Sequence, residues 1–471
     1  MAARVKMKID WSKVGTDWLP FADAATPELP LKRLLRLSLF QVSVAMAAVL
    51  LTGTLNRVMI VELHMPAWIV SALVSVPLLF APFRALIGHK SDTHQSILGW
   101  RRVPYIWFGT MLQFGGFAIM PFAILILSGD NTGSALSGEI GAALAFLMVG
   151  AGMHTVQTAG ISLATDLAPE HARPRVVALL YAMQLLGTFV TALVIGRLLR
   201  HFNAVHLVQV IQGVGALTMV LNVIALWKQE ARNRNRFAIV RDAAASFGAT
   251  WRAFLREGRT QRLLGAIGLG TAAFSMQDVL MEPFGGQVFG LTVGGTTILL
   301  ALWAAGALGG FGVAAKRLAS GGNPMRLAGA GVTIGLAAFA IMVLAAPLLS
   351  VGTLRIGAIG IGFAGGLFAV GTLAAVMALP GRDNAGIAVG AWGAVHASAL
   401  GLAVLIGGGL RDLVTHLAQH GALGPALAGP ASGYVSVYLL EIALLFATLA
   451  AIGPLARTCN HRLPAANLHP A

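Results

Sequence analysis

Charge is scarce in this chain. Of its 471 residues only 11% are Asp, Glu, Lys or Arg, while 57% are hydrophobic and the mean hydropathy is +0.78, far from the balance of a soluble domain. Cysteine is nearly absent: the single Cys459 lies in the tail and cannot form an internal disulfide. No Walker sequence occurs, which excludes an ATP-driven pump, and no paired metal-ligand spacing, nucleotide loop or Ser-His-Asp layout stands out. A membrane prenyltransferase would want Asp-rich motifs for magnesium diphosphate. Only DLAPE at 166–170 and DVLME at 278–282 come near, and neither has the second Asp. The expectation is a protein that is not an enzyme, with no catalytic residue and no bound metal.

What is abundant is long apolar sequence. A helix crossing the hydrocarbon needs about 20 apolar residues. Twelve such stretches occur, near 34–60, 66–87, 103–128, 139–166, 174–199, 204–227, 263–289, 294–315, 327–349, 353–379, 385–410 and 433–456. A porin-like barrel would instead show short alternating segments. The 57 glycines include small-xxx-small pairs such as Gly306/Gly310 and Gly362/Gly366, spacing that lets helix backbones approach closely. The first thirty residues are polar and the first apolar stretch is long enough to span, so no cleavable signal peptide is expected.

The formal charge of +15 is distributed topologically. With the N-terminus in the cytoplasm, 28 of the 33 Lys and Arg fall in cytoplasmic segments; the others are Arg57, Arg197, Arg200, Arg355 and Arg411. The basic surplus therefore orients the chain and faces anionic lipid; no nucleic acid partner is expected. The organisation read from this is a cytoplasmic segment 1–33, a six-helix half 34–227, a basic linker 228–262, a second six-helix half 263–456 and a cytoplasmic tail 457–471. Within the linker, RDAAASFGATWRAFLREG can form an amphipathic helix with Phe247, Trp251, Phe254 and Leu255 on one side, suited to the membrane surface or to a partner.

The halves echo one another. LAPEHARPRVVALLYAMQLLGTFVTALVIGRLLR matches MALPGRDNAGIAVGAWGAVHASALGLAVLIGGGLRDL, and LNRVMIVEL matches MQDVLMEPF. Parallel repeats of this kind resemble the major facilitator architecture, an all-α membrane fold of twelve transmembrane helices in two six-helix halves, here with both termini cytoplasmic. The loop with Gly88, Asp92, Gly99, Arg101 and Arg102 resembles the major facilitator loop motif with three extra residues. In that motif the Asp takes hydrogen bonds from a neighbouring helix N-terminus and the basic pair holds the other half, a charge-assisted clasp. The second-half equivalent, AKRLASGGNPMR, lacks the Asp.

Ionisable groups within the hydrocarbon are costly and are functional candidates by default. They comprise Arg57 and Glu62, His154, Asp278 and Glu282, His396 and Glu441, accompanied by Gln113, Gln157, Gln184, Gln277 and Asn222. Arg57 and Asp278 occupy matching places in the halves, so an ion pair between them is expected, as a gate or clasp. Glu62 or Glu282 would carry protons if the chain couples to them. His154 and His396 can each be an axial magnesium ligand of a chlorin or can hydrogen-bond a neighbouring helix, and Gln157 lies one turn beyond His154.

The strings LLRLSLFQVSVAMAAVLLTGTLNRVMIVEL, PFRALIGHKSDTHQSILGWRRVPYIWFGTMLQFGG and MQDVLMEPFGGQVFG resemble the PucC/LhaA family, the bacteriochlorophyll delivery branch of the major facilitators. The likeness runs from about Pro20 to Leu455 and implies a light-harvesting complex assembly factor of the bacterial inner or intracytoplasmic membrane. It implies bacteriochlorophyll as cargo, and antenna polypeptides, with pigment-synthesis enzymes, as partners. Carried onto this chain, the family strings pick out Asn56, Arg57, Glu62, Arg84, Asp92, His94, Trp100, Arg101, Arg102, Gln277, Asp278 and Glu282. Trp100, Tyr105 and Trp107 can anchor at the interface or dock antenna helices. The alternative is a proton-coupled major facilitator transporter of a small hydrophobic solute.

Overall fold

In the computed structural model the described residues are 26, 29–79, 100–127, 135–169, 172–230, 258–378 and 385–458, and their regular structure is helical throughout. The helices are α1 (Leu31–Glu62), α2 (Ala67–Leu79), α3 (Val103–Leu127), α4 (Ala135–Leu167), α5 (Arg173–Leu198) and α6 (Ala204–Leu226). They continue with α7a (Gly258–Ser275), α7b (Met281–Phe289), α8 (Val293–Ala319), α9 (Pro324–Leu348), α10 (Val351–Met377), α11 (Ala385–Gln419) and α12 (Ser432–Thr458). Ten of them are long and apolar enough to cross a membrane, and α7a with α7b, bent by 44°, adds an eleventh. The chain is a multi-pass membrane protein. Of the expected span 66–87 only α2 is described, and α7a starts within the segment read as linker. The surface helix expected over 241–258 falls almost wholly outside the described residues.

Helices satisfy their own backbone groups, which hydrocarbon cannot do for them. Their ends are set by short polar residues. Asn203, Thr292, Asn323 and Ser350 accept from the first free N–H groups of α6, α8, α9 and α10 respectively, and Pro324 opens α9 where its missing N–H costs nothing. Gly290, at φ 65°, closes α7b in the left-handed conformation.

Three buried side chains knit the first half: Ser43 Oγ donates to Asn222 Oδ1 at 2.8 Å, and Asn222 Nδ2 donates to Thr110 Oγ1 at 2.9 Å, joining α1, α6 and α3. In the second half α8 and α10 pack through the small-residue pairs the sequence marked. A Cβ on Gly306 or Gly310 would run into the carbonyl oxygens of Ile359 and Phe363, and one on Gly362 or Gly366 into those of Trp303 and Ala307.

The hydrogen bonds define two ends of the bundle. At the near end, where α1 starts, Arg33 donates to Gln229 and Arg36 to the Trp227 carbonyl. There too Arg262 donates to the Ala451 carbonyl at 3.1 Å. The far end holds the finish of α1 and the start of α2. The halves meet along two extensive seams, α2 with α11 and α5 with α8. Exchanging the halves maps α2 onto α8 and α5 onto α11, so these seams are counterparts, as parallel repeats require. Both close at the far end: Gly408 lies against Ser71 and the Ala67 carbonyl, and Gly294 against Gly196 and Arg200.

Gly310→Val and Gly362→Val should each lower the melting temperature of the detergent-solubilised protein, by about 1–3 kcal/mol of overpacking or more. Gly312→Val, which meets nothing within 4 Å, should stay within about 0.5 kcal/mol of the parent. Equal shifts at all three positions would contradict the interlocked packing of α8 and α10.

Candidate functional site

The candidate site lies where α1 and the break between α7a and α7b meet. Neither is a regular helix there. α1 contains two π segments, Val49–Thr54 and Val58–Glu62, flanking Leu55–Arg57, and α7 passes through a 3-10 segment, Met276–Val279. Such irregular turns leave backbone groups without their usual partners and recur at functional sites. The break in α7 is served from both sides. Glu441 of α12, fully buried, accepts the Gln277 N–H through Oε1 at 2.9 Å. Asn56 of α1 donates from Nδ2 to the Val279 carbonyl at 3.0 Å and also to the Thr52 carbonyl in the preceding π segment.

Arg57 crosses the same seam. Its Nη1 donates to Glu62 Oε1 at 2.7 Å, and its Nη2 donates to the Leu291 carbonyl of the other half at 3.1 Å. The guanidinium lies over Gly286, where a Cβ would come within 3.1 Å of it. The expected ion pair of Arg57 with Asp278 is not formed. Glu62, five residues on in a π-helical turn, reaches Arg57 first, and Asp278 instead accepts from Gln277 Nε2 at 2.9 Å. Glu282 is buried; its Oε2 accepts from Thr297 Oγ1 at 3.3 Å, and its Oε1 faces Gly53 so closely that a Cβ there would collide with it. The π segment of α1 thus presents its one glycine to a carboxylate of the opposite half.

Beyond this cluster the far end is laced by residues that sequence reasoning did not single out. Arg411 donates to Asp412 at 2.6 Å, to Gln287 at 2.5 Å and to Tyr434 at 3.2 Å, and its guanidinium stands 4.8 Å from the Tyr434 ring. Tyr434 donates to Gln287 at 2.7 Å, and Asp412 accepts the Trp68 N–H at 2.8 Å, tying α11 to α2 across the halves. The signal that could have found them is the RD pair of the repeat string, a charge pair at the end of an apolar span.

The histidines stand apart. His154, on α4, is buried. Gln157, one turn on, donates from Nε2 to Gln184 Oε1 at 2.9 Å and so ties α4 to α5. His396, on α11 in the other half, is half-buried and lies 5.0 Å from Trp392, whose Nε1 donates to Thr372.

Of the loop motif, Gly88, Asp92, Gly99, Arg84 and His94 lie outside the described residues; Arg101 and Arg102 are described. The pair grips Asp166 at the end of α4 in its own half, at 2.5 and 3.0 Å, while the rest of the expected clasp lies outside the described residues. The carboxylate at the N-terminus of α3 is Glu230, just after α6, which accepts from the N–H groups of Arg101, Arg102 and Val103 at 2.7–3.2 Å. Among the described residues, the hydrogen bonds between halves (Asn56, Arg57 and Asp412) lie at mid-span and at the far end. Those at the near end stay within one half.

Comparison with known proteins gives a consistent result. The family described as PUCC protein matches residues 54–459. Protein PucC of Rhodovulum sulfidophilum is 55% identical over 406 residues, 85% of this chain and 89% of that protein. Protein PucC of Cereibacter sphaeroides is 48% identical over 449 residues, 95% of this chain and 96% of that one. Among solved structures, a bacterial homologue of the human lysosomal transporter Spinster, inward-facing and unoccupied, superposes with a TM-score of 0.70 at 15% identity, over 92% of this chain and 98% of that one. That likeness establishes the fold, a major facilitator one.

Gly53→Val, by forcing a side chain against Glu282, should lower the melting temperature in detergent by the equivalent of about 1–3 kcal/mol. Glu62→Gln should cost less, about 1–2 kcal/mol: the amide oxygen still accepts from Arg57, but that guanidinium, 4% exposed, loses its countercharge. The reverse ranking would mean that α1 and α7 do not meet as described.

Proposed function

The chain belongs to the PUCC protein family, and from that premise we propose that it is a light-harvesting complex assembly factor, not an enzyme. In this reading it handles bacteriochlorophyll, nascent antenna polypeptides, or both, within the photosynthetic membrane. Family membership over most of the chain is the observation that carries the reading. The use made of polar side chains supports it. Ser43, Asn222 and Thr110, Gln157 and Gln184, Asn56, Arg57 and Glu441 are engaged with one another or with backbone. Groups already committed to holding helices together are poorly placed to strip water from a hydrophilic solute.

A lipid-side groove of about 530 Å³ between α2 and α4, lined by Trp68, Ile69, Leu73, Val76, Ile140 and Leu144, adds apolar surface of the kind a chlorin or an apolar helix would contact. His154 or His396 as the axial ligand of the pigment magnesium is a separate proposal, resting on a neutral imidazole being a suitable ligand. Pigment-synthesis enzymes would supply the cargo and antenna polypeptides would receive it.

A second reading is favoured by one feature, the carboxylates Glu62, Asp278, Glu282 and Glu441 gathered along the irregular stretches of α1 and α7. In a proton-coupled transporter of a small hydrophobic solute these would be the protonation sites.

Full-length protein purified in mild detergent from a photosynthetic host should carry bacteriochlorophyll or co-purify small antenna polypeptides, read by pigment extraction and mass spectrometry. Purification free of both, with solute flux driven by a pH gradient in vesicles, would favour the transporter. His154→Leu and His396→Leu report on the ligand: the variant that removes the ligand should lose most of its pigment, and retention in both would remove the histidine proposal.

A further inference from the structure

α11 is longer than a membrane needs. Its 35 residues extend about 52 Å at 1.5 Å per residue, against a hydrocarbon core of about 30 Å. Its last turns therefore project beyond the apolar layer at the far end, and they carry His416, with His420 at the cap position just after the helix. Residues four apart share one helix face. The two imidazoles are exposed, with ring centroids 4.1 Å apart and planes 31° from parallel.

His420 Nδ1 lies 2.8 Å from the His416 carbonyl oxygen. A carbonyl only accepts, so Nδ1 carries the proton and the Nε2 lone pair is left for an electrophile. This is the arrangement in which an outer hydrogen bond fixes the tautomer of a metal-ligating histidine. Two nitrogens each about 2.0–2.1 Å from one ion stand at most about 4.2 Å apart, a bite that imidazoles four residues apart on one helix face reach by side-chain rotation.

We propose that His416 and His420 form a two-histidine site for a divalent transition-metal ion of the zinc or copper class, with water completing the coordination. The site adjoins the tie between the halves. One turn before His416 on the same face, Asp412 accepts from Trp68 N–H through Oδ2 and from Arg411 through Oδ1. Among the described residues no group of three ligating side chains converges, so Asp412 is a neighbour of the site and not a third ligand. An ion bridging the imidazoles would stiffen the final turns of α11, on which the bond to α2 depends.

The test is zinc titration of the full-length chain in detergent, purified without a histidine tag and read by competition with a chromophoric chelator. His416→Gln and His420→Gln should each weaken the binding of one ion per chain by at least about tenfold, the scale at which even outer partners of a ligand act. Because a chelate needs both rings, the double variant should be no weaker than either single variant. His201→Gln should leave affinity unchanged. Both exposed positions should tolerate Gln, and metal-free melting temperatures identical to the parent will show this. Wild-type protein that binds no zinc, a double variant that keeps parental affinity, or single losses that merely add would overturn the site.

Discussion

A polar group in hydrocarbon has no water to fall back on, and each one left without a partner costs several kcal/mol. Most of this molecule obeys that constraint by being helix. Where helix regularity fails, partners are imported: the 3-10 segment of α7 hands an N–H to Glu441 on α12 and a carbonyl to Asn56 on α1. A broken helix at membrane depth is tolerable because it is enclosed by protein that serves it. The same reasoning places Gly53 in α1, where anything larger would meet the Glu282 carboxylate.

The enclosure also sets how the halves relate. The irregular parts of α1 and α7 come from matching positions in the two repeats, and they interlock across the seam through Asn56, Arg57 and Gly53. The seams α2–α11 and α5–α8 continue that contact to the far end, where Arg411, Gln287, Tyr434 and Asp412 form a connected polar cap. At the near end, bonds among the described residues tie Glu230 to the start of α3 and Asp166 to Arg101 and Arg102.

Much of this was legible before any coordinates. Of the twelve apolar runs, ten match described spans and one the bent α7 pair, while of 66–87 only α2 is described; Gly306/Gly310 with Gly362/Gly366 marked a close helix pair, which proved to be α8 against α10. The kinship of LNRVMIVEL and MQDVLMEPF marked α1 and α7 as counterparts in the repeat, and only the coordinates show that both lose helix regularity there. Partners were harder. Arg57 was expected opposite Asp278, yet a π turn shortens the path to Glu62, and no apolar pattern reveals a π turn. The basic pair of the loop motif meets Asp166 of its own half, a partner the motif does not name. Glu230 escaped notice because a carboxylate in a basic linker looks ordinary until a helix start is folded against it.

The sequence by itself determined the solvent this protein lives in, the number and order of its apolar stretches, their internal repetition and the family to which it belongs. Those properties follow from composition and local pattern, since transfer into hydrocarbon sums over residues wherever the chain is routed. Only the tertiary structure decided which sparse polar groups meet. A hydrogen bond depends on a few tenths of an ångström and on backbone irregularities that bring residues hundreds of positions apart into contact. The seam and the far-end cap are of that kind.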